Sequence, residues 1–172
     1  GALSAGRRPG DPRADALRAR HAAAFGAAGP PVPVEAIAED LLGLALGEAP
    51  LPVSGMLVPA RREIWVDARE AAESPARRRF TIAHEIGHWV CQVREGRVAE
   101  ILCRPDPSLA RQADPREREA NVFAAELLMP AAEVRRLVAD GLPEAELLER
   151  FGVSGPAMAW RLFNLGLGPR PA

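Results

Sequence analysis

The chain has 172 residues, of which 48% are hydrophobic and 26% charged. This suffices for one compact domain, or a core with a small appendage, and excludes a chain that is disordered throughout. Lys and Arg total 22 and Asp and Glu total 23, a balance that argues against binding nucleic acid through overall charge. No apolar run is long enough to predict a membrane-spanning helix.

The first segment, residues 1–14, is rich in Gly, Pro and Arg and is expected to be disordered. It lacks the apolar stretch of a signal peptide, so we expect a cytoplasmic protein. In that compartment Cys91 and Cys103 are expected to be free thiols, with a disulfide between them as the alternative.

Two short helices and then short strands are predicted in the first part of the chain. The helices cover about 15–28 and 33–42, and each ends at glycine. The strands cover 44–46, 53–58 and 63–66, the last because Ile64 and Val66 show the period-2 alternation of a half-buried strand.

Two longer helices are predicted downstream, and each has a clear start signal. Ser74-Pro75 combines an N-cap residue with Pro at the first helical position, which predicts a helix to about Val93. Asp114-Pro115 is a similar pair, and that helix is predicted to end at Met129-Pro130. Shorter helices are expected in the remainder.

The first of these helices carries the sequence His84-Glu85-Ile86-Gly87-His88. Residues four apart lie on one helix face, so both imidazoles can bind the same ion. Zn²⁺ accepts neutral imidazole and prefers about four ligands. Glu85 lies off that face, where it can accept a proton from the water that attacks a peptide carbonyl. The spacing therefore predicts one zinc ion with Glu85 as the general base.

Two further observations concern the packing of this helix and the residue type of the third metal ligand. Gly87 lowers helix propensity, which indicates that something packs close to the backbone there. Zinc peptidases with three histidine ligands carry Gly and His at the positions that Cys91 and Arg94 occupy here, so that class is excluded. A carboxylate is the expected third ligand, with cysteine as a less favoured donor.

The second long helix is the predicted source of that carboxylate. A projection at about 100° per residue places Glu117 beside the apolar stripe, and places Glu119 and Glu126 together on the outer side. A buried acid is costly unless it is paired or bound to metal. Glu117 is therefore the favoured ligand, Glu119 the alternative, and Asn121 is placed to orient a ligand by a hydrogen bond. Cys91 lies on the His84 side of its own helix and remains a weaker candidate.

These two blocks resemble the ImmA/IrrE family of metallo-endopeptidases. The blocks are residues 79–88, RFTIAHEIGH, and residues 117–130, EREANVFAAELLMP. The resemblance covers about residues 53–130 and extends in outline to about residue 168. By motif position, it implies that His84, His88 and Glu117 bind zinc and that Glu85 is the base.

The resemblance also implies a fold and a function. The fold is α+β: a gluzincin-like zincin core with a short, mostly antiparallel sheet beside two zinc-binding helices, and then a helix-turn-helix-like segment. The implied partner is a helix-turn-helix repressor, whose cleavage releases stress-response or mobile-element genes. Gluzincins hold an extended substrate at an edge strand, and Glu63–Asp67 is our candidate for it.

The residue that stabilises the oxyanion is not evident from the sequence, because the chain contains no tyrosine. His21 is a candidate if its helix packs against the cleft, although a surface position is the favoured interpretation. An arginine, or zinc alone, is the alternative.

The C-terminal part, within 131–168, is expected to form a helical appendage packed on a core that spans 15–130. Gly152 and Ser154 fit the turn and cap of a helix-turn-helix. The second helix is poor in base-reading side chains, so direct DNA binding is not expected. Trp160, Leu162 and Phe163 are expected in the core, with a docking surface for the repressor as the alternative.

An active zinc endopeptidase is thus the leading hypothesis. A metal-binding regulatory module with little peptidase activity is the alternative, but such a module has no need of Glu85.

Overall fold

The computed structural model describes residues 11–27, 29–94 and 114–172. These residues form a three-stranded sheet and eight helices, in agreement with the predicted α+β class. The helices are α1 (Pro12–Phe25), α2 (Val34–Ala36, continued by a π-helical turn at Ile37–Leu41), α3 (Ala68–Glu73), α4 (Pro75–His88, continued by a π-helical turn at Trp89–Val93), α5 (Pro115–Leu128), α6 (Ala131–Ala139), α7 (Glu144–Phe151) and α8 (Gly155–Asn164). None of the helices in these three ranges is long and apolar enough to cross a membrane.

The sheet is mixed rather than mostly antiparallel. Its strands are β1 (Ala45–Ala49), β2 (Gly55–Val58) and β3 (Glu63–Asp67), in the order β1-β3-β2. β3 is parallel to β1 and antiparallel to β2. The prediction that Glu63–Asp67 is an edge strand is therefore wrong, because this strand is paired on both sides, and the edges are β1 and β2.

The starts of the two long helices agree with the sequence. The Ser74 hydroxyl accepts a hydrogen bond from the backbone N–H of Arg77, and Pro75 is the first residue of α4. Asp114 caps α5 in the same way through the N–H of Arg116. Side-chain caps of this kind satisfy backbone donors that a helix leaves unbonded at its N-terminus.

Helix α4 lies at the centre of the molecule, between the sheet and α5. Every residue from Ile82 to His88 is buried. Gly87 marks the closest approach of the two helices: a Cβ atom there would lie 3.0 Å from the carbonyl oxygen of Ala120 and 3.1 Å from its Cα. The expectation that something packs against the backbone at Gly87 is confirmed, and that neighbour is the backbone of α5.

The C-terminal helices are joined to this core by two arginines, the partly buried Arg79 and the buried Arg161. Gly152 ends α7 in the left-handed conformation, and Ser154 caps α8 through the N–H of Ala157, as the sequence predicts. Arg79 of α4 donates to the carbonyl of Gly152 at 3.2 Å and to that of Val32 at 2.9 Å. Arg161 of α8 forms a buried ion pair with Glu126 of α5, at 2.7 Å.

That ion pair corrects the helix projection for Glu126. We expected this acid on the outer side of α5, but only 4% of it is exposed. The projection separates the faces of a helix correctly, but it does not show which faces later elements cover.

Candidate metal centre

Three side chains from two helices meet at one buried point. His84 and His88 lie one turn apart on α4, and Glu117 lies in the first turn of α5. Each offers one ligand atom, and these atoms lie within 4.8 Å of one another. Glu117 Oε2 is 3.0 Å from His84 Nε2, and Glu117 Oε1 is 3.1 Å from His88 Nε2. The structure thus brings together the three residues that the sequence selects.

Each imidazole is oriented by an amide side chain behind it. His84 Nδ1 lies 2.8 Å from Asn121 Oδ1, and His88 Nδ1 lies 2.8 Å from Gln92 Oε1. The amide nitrogen of Gln92 donates to the carbonyl of Arg116 at 2.8 Å, so its oxygen must face His88. Because amide oxygens only accept hydrogen bonds, each Nδ1 donates, and in a neutral ring Nε2 then carries the lone pair.

This arrangement tests whether a metal ion fits the site. With neutral rings, two nitrogen lone pairs point at a carboxylate from about hydrogen-bond distance, which is repulsive unless a cation lies between them. Two imidazole nitrogens and a carboxylate oxygen are a donor set that Zn²⁺ accepts, with one position left for water or substrate. The residues present therefore fit a divalent metal ion.

The pKa values of the site follow from the same contacts. Burial raises the pKa of Glu117, but its hydrogen bonds to both imidazoles and their charges lower it more, and the net pKa lies well below its usual range. Burial lowers the pKa of His88, but Glu117, Gln92 and the charge of Glu85 together raise it more. Glu117 is thus ionised at neutral pH, and the surroundings of both groups favour positive charge at the centre of the site.

Glu85 lies beside this group but is not a member of it. Its side chain is 5% exposed and lines an open cleft. Strand β2 passes close by, and Gly55 makes that approach possible: a Cβ atom there would lie 2.4 Å from Thr81 Cγ2 and 3.4 Å from Glu85 Oε1. Glu85 is thus held between its own helix and the edge strand, facing the space where a substrate would lie.

The other candidate residues lie apart from the three-residue group. Glu119 is partly exposed and lies 3.5 Å from a guanidinium nitrogen of Arg13. Cys91 is buried, and Cys103 lies outside the described residues. His21 is buried, and its ring lies against that of Phe25 with centroids 5.1 Å apart. The prediction of a surface position for His21 is therefore wrong. His21 also does not line the cleft.

Gln92 is the residue at this site that sequence reasoning missed. It is 1% exposed, and it holds His88 as Asn121 holds His84. Its position was a usable signal, because Gln92 follows His88 by four residues and so lies one turn further along the same helix face.

The fold and this site define a metallopeptidase domain, and comparisons with known proteins agree. Residues 53–163 match the model of the IrrE N-terminal-like domain, a peptidase family. The chain belongs to this family, as the two sequence blocks predicted.

Two individual proteins are similar over most of the chain. The radiation response metalloprotease IrrE of Deinococcus radiodurans is 32% identical over 139 residues, which cover 80% of this chain and 38% of that protein. A transcriptional regulator of Mycobacterium tuberculosis has a similar fold, with a TM-score of 0.61 and 22% identity over 89% of this chain and 47% of that one. The chain thus spans less than half the length of either protein.

Proposed function

We propose that this domain is a zinc endopeptidase that cleaves a helix-turn-helix transcriptional repressor and thereby releases stress-response or mobile-element genes. One observation carries the proposal. His84, His88 and Glu117 converge at one point, and Glu85 lies beside them in an open cleft. A domain that only bound metal would not need a buried acid outside the ligand group.

In this proposal His84, His88 and Glu117 hold one zinc ion. When bound there, the ion acts as a Lewis acid toward the peptide carbonyl and the attacking water. Glu85 accepts the proton of that water and delivers it to the leaving amide nitrogen. Asn121 and Gln92 keep the two imidazoles in the tautomer that the ion requires.

The substrate is proposed to lie extended along β2. This strand has β3 on one side, and Ser54 and Gly55 line the cleft next to Glu85. Among the described residues no strand pairs with the other edge of β2, so an added peptide strand can pair there through main-chain hydrogen bonds, independently of its side chains. Because Gly55 has no side chain, β2 itself lies close to Thr81 and Glu85, so a peptide paired with this strand would run near the proposed base.

Arginine is the proposed partner of zinc in stabilising the oxyanion. Arg77 and Arg118 line the cleft, and Arg77 also forms a partly exposed ion pair with Glu70 at 2.7 Å. The guanidinium of Arg161 is buried and bound to Glu126 and to the carbonyl of Met129. His21 does not line the cleft and is not proposed for this role.

Metal analysis and a single substitution test the proposal. The purified chain is expected to bind one zinc ion and to cleave the repressor encoded beside its gene. In the cell, we propose that this cleavage takes place in the cytoplasm. Glu85→Gln should leave zinc bound and abolish cleavage. Equal cleavage by the parent and Glu85→Gln would refute the role of Glu85, and a parent that binds zinc but cleaves no partner would favour a regulatory module.

A further inference from the structure

The cleft beside Glu85 continues well beyond the metal centre. It has a volume of about 630 Å³, which is in the range of ligand-binding clefts. Its lining includes His84 and Glu85 of α4, and Ala157, Trp160 and Asn164 of α8. The helix in the position of a DNA-recognition helix therefore faces the peptidase cleft.

Trp160 has the largest side chain of α8 in this lining. The expectation that it lies in the core is wrong. It is 40% exposed, and its ring packs edge-on against Phe163, which is 37% exposed, with centroids 5.9 Å apart. Trp160 lines the cleft, whereas Phe163 does not. A large aromatic surface left in contact with water inside a cleft is typical of a binding site.

The position of Trp160 is fixed relative to the metal centre by its neighbour in sequence. Arg161 is 6% exposed and donates to the carbonyl of Met129 at 2.8 and 3.0 Å, as well as to Glu126. Glu126 belongs to α5, the same helix that carries Glu117. A buried ion pair thus connects α8 to the metal-binding helix, so Trp160 presents a preorganised surface.

Besides Trp160, the cleft has apolar side chains from the two helices that carry the candidate metal ligands. Val122 and Ala125 of α5 and Phe80 of α4 line the same cleft. Val122 is 42% exposed, so its side chain is available to a ligand in the cleft. Among the described residues of the lining, Arg77, Arg118 and Arg161 are positively charged and Glu85 is the one acid. Arg77 is paired with Glu70 and Arg161 with Glu126.

We propose that Trp160, Val122, Ala125 and Phe80 form a subsite for a large apolar side chain of the peptide substrate. The inference rests on the proposed peptidase function, and it names the substrate class. The occupant is an extended segment with a Leu, Met, Ile or aromatic side chain near the scissile bond. Arg77 and Arg118 favour acidic over basic residues beside it.

The test uses a peptide library made from a digested proteome. Cleavage sites of the zinc-loaded parent are read by mass spectrometry, and we expect one subsite to be enriched in large apolar residues and neighbouring positions to be depleted of Lys and Arg. Trp160→Ala should lose the apolar enrichment and reduce kcat/KM for such peptides about 10- to 100-fold. Phe163→Ala, which removes a similarly exposed aromatic ring outside the cleft, should retain both, and so should Trp160→Phe.

A binding experiment separates this inference from the proposed function. The same library is captured on immobilised Glu85→Gln protein, with and without Trp160→Ala. Apolar peptides captured only when Trp160 is present would support the subsite even if the parent cleaved nothing, in which case only the peptidase proposal would fail. Unchanged cleavage and capture profiles after Trp160→Ala, at equal zinc content, would overturn the subsite.

Discussion

Replacing Gly87 by alanine would test whether the metal centre depends on the close approach of α4 and α5. In an ordinary helix this substitution stabilises by about 1 kcal/mol, because Gly has the greater conformational entropy to lose. At Gly87 the added Cβ atom would lie 3.0 Å from Ala120 O and 3.2 Å from Phe123 Cδ1. These contacts are tighter than ordinary van der Waals contacts, so α4 and α5 must separate by a few tenths of an ångström.

The size of the effect follows from two opposing contributions. Overpacking of this kind costs about 1–3 kcal/mol, since the nearest atoms belong to the backbone of α5 and cannot rotate away. The gain in helix propensity offsets about 1 kcal/mol of this cost. The free energy of unfolding of the metal-free protein should therefore fall by between nothing and about 2 kcal/mol. Metal binding must then draw the helices together again, which should weaken the affinity about 5- to 100-fold.

The assay is a zinc titration against a chelator of known affinity, together with urea unfolding of the metal-free protein. Gly155→Ala is the matched control, because it is also a helical glycine, and the nearest atom to its added Cβ is 4.0 Å away, at Leu148 Cδ1. It should leave zinc affinity unchanged. If Gly87→Ala stabilised the metal-free protein by about 1 kcal/mol and bound zinc as the parent does, close approach would not be required.

Three other substitutions address the surroundings of the site. Gln92→Leu removes the acceptor that orients His88 and should weaken zinc binding about 10- to 100-fold in the same titration. Arg161→Met leaves Glu126 buried without its partner at 2.7 Å and should cost about 3–5 kcal/mol in urea unfolding, whereas adding Glu126→Leu should recover part of that loss. Backbone N–H groups of residues 51 and 70 donate to Asp67 and lower its pKa, so its contribution to stability is present at neutral pH and lost below about pH 4. Asp67→Asn should therefore lower the melting temperature at pH 7 and make progressively less difference as the pH falls below about 4.

The parts of this structure that the sequence predicts have local causes or follow from the chemistry of one site. The caps of α4 and α5 depend on residues within one turn. The convergence of His84 and Glu117 joins residues 33 positions apart, and it was predictable because two histidines on one helix face require a further ligand and a buried acid requires compensation.

The parts that were missed depend on distant segments. β3 lies in the centre of the sheet because β1, which is about twenty residues earlier, pairs with it in parallel. Glu126 is buried because Arg161 reaches it from α8. Trp160 is exposed because α8 is anchored through Arg161 rather than through its largest apolar side chain. Helix α3 (Ala68–Glu73) was also missed, although Asp67 is a recognisable N-cap.

Helix α5 shows how one element supports both the fold and the site. Glu117 and Glu126 are two and a half turns apart and point to opposite sides of it, and both are buried. Buried carboxylates require compensation. The chain provides Glu126 with a permanent cation, the guanidinium of Arg161. It provides Glu117 with two imidazoles whose Nδ1 atoms already donate to Asn121 and Gln92. The two imidazole Nε2 atoms lie 3.0 and 3.1 Å from Glu117, and a metal ion between the rings, or a second proton on one of them, would supply positive charge to this carboxylate. For this reason we assign the structural role to Glu126 and propose Glu117 as the metal ligand.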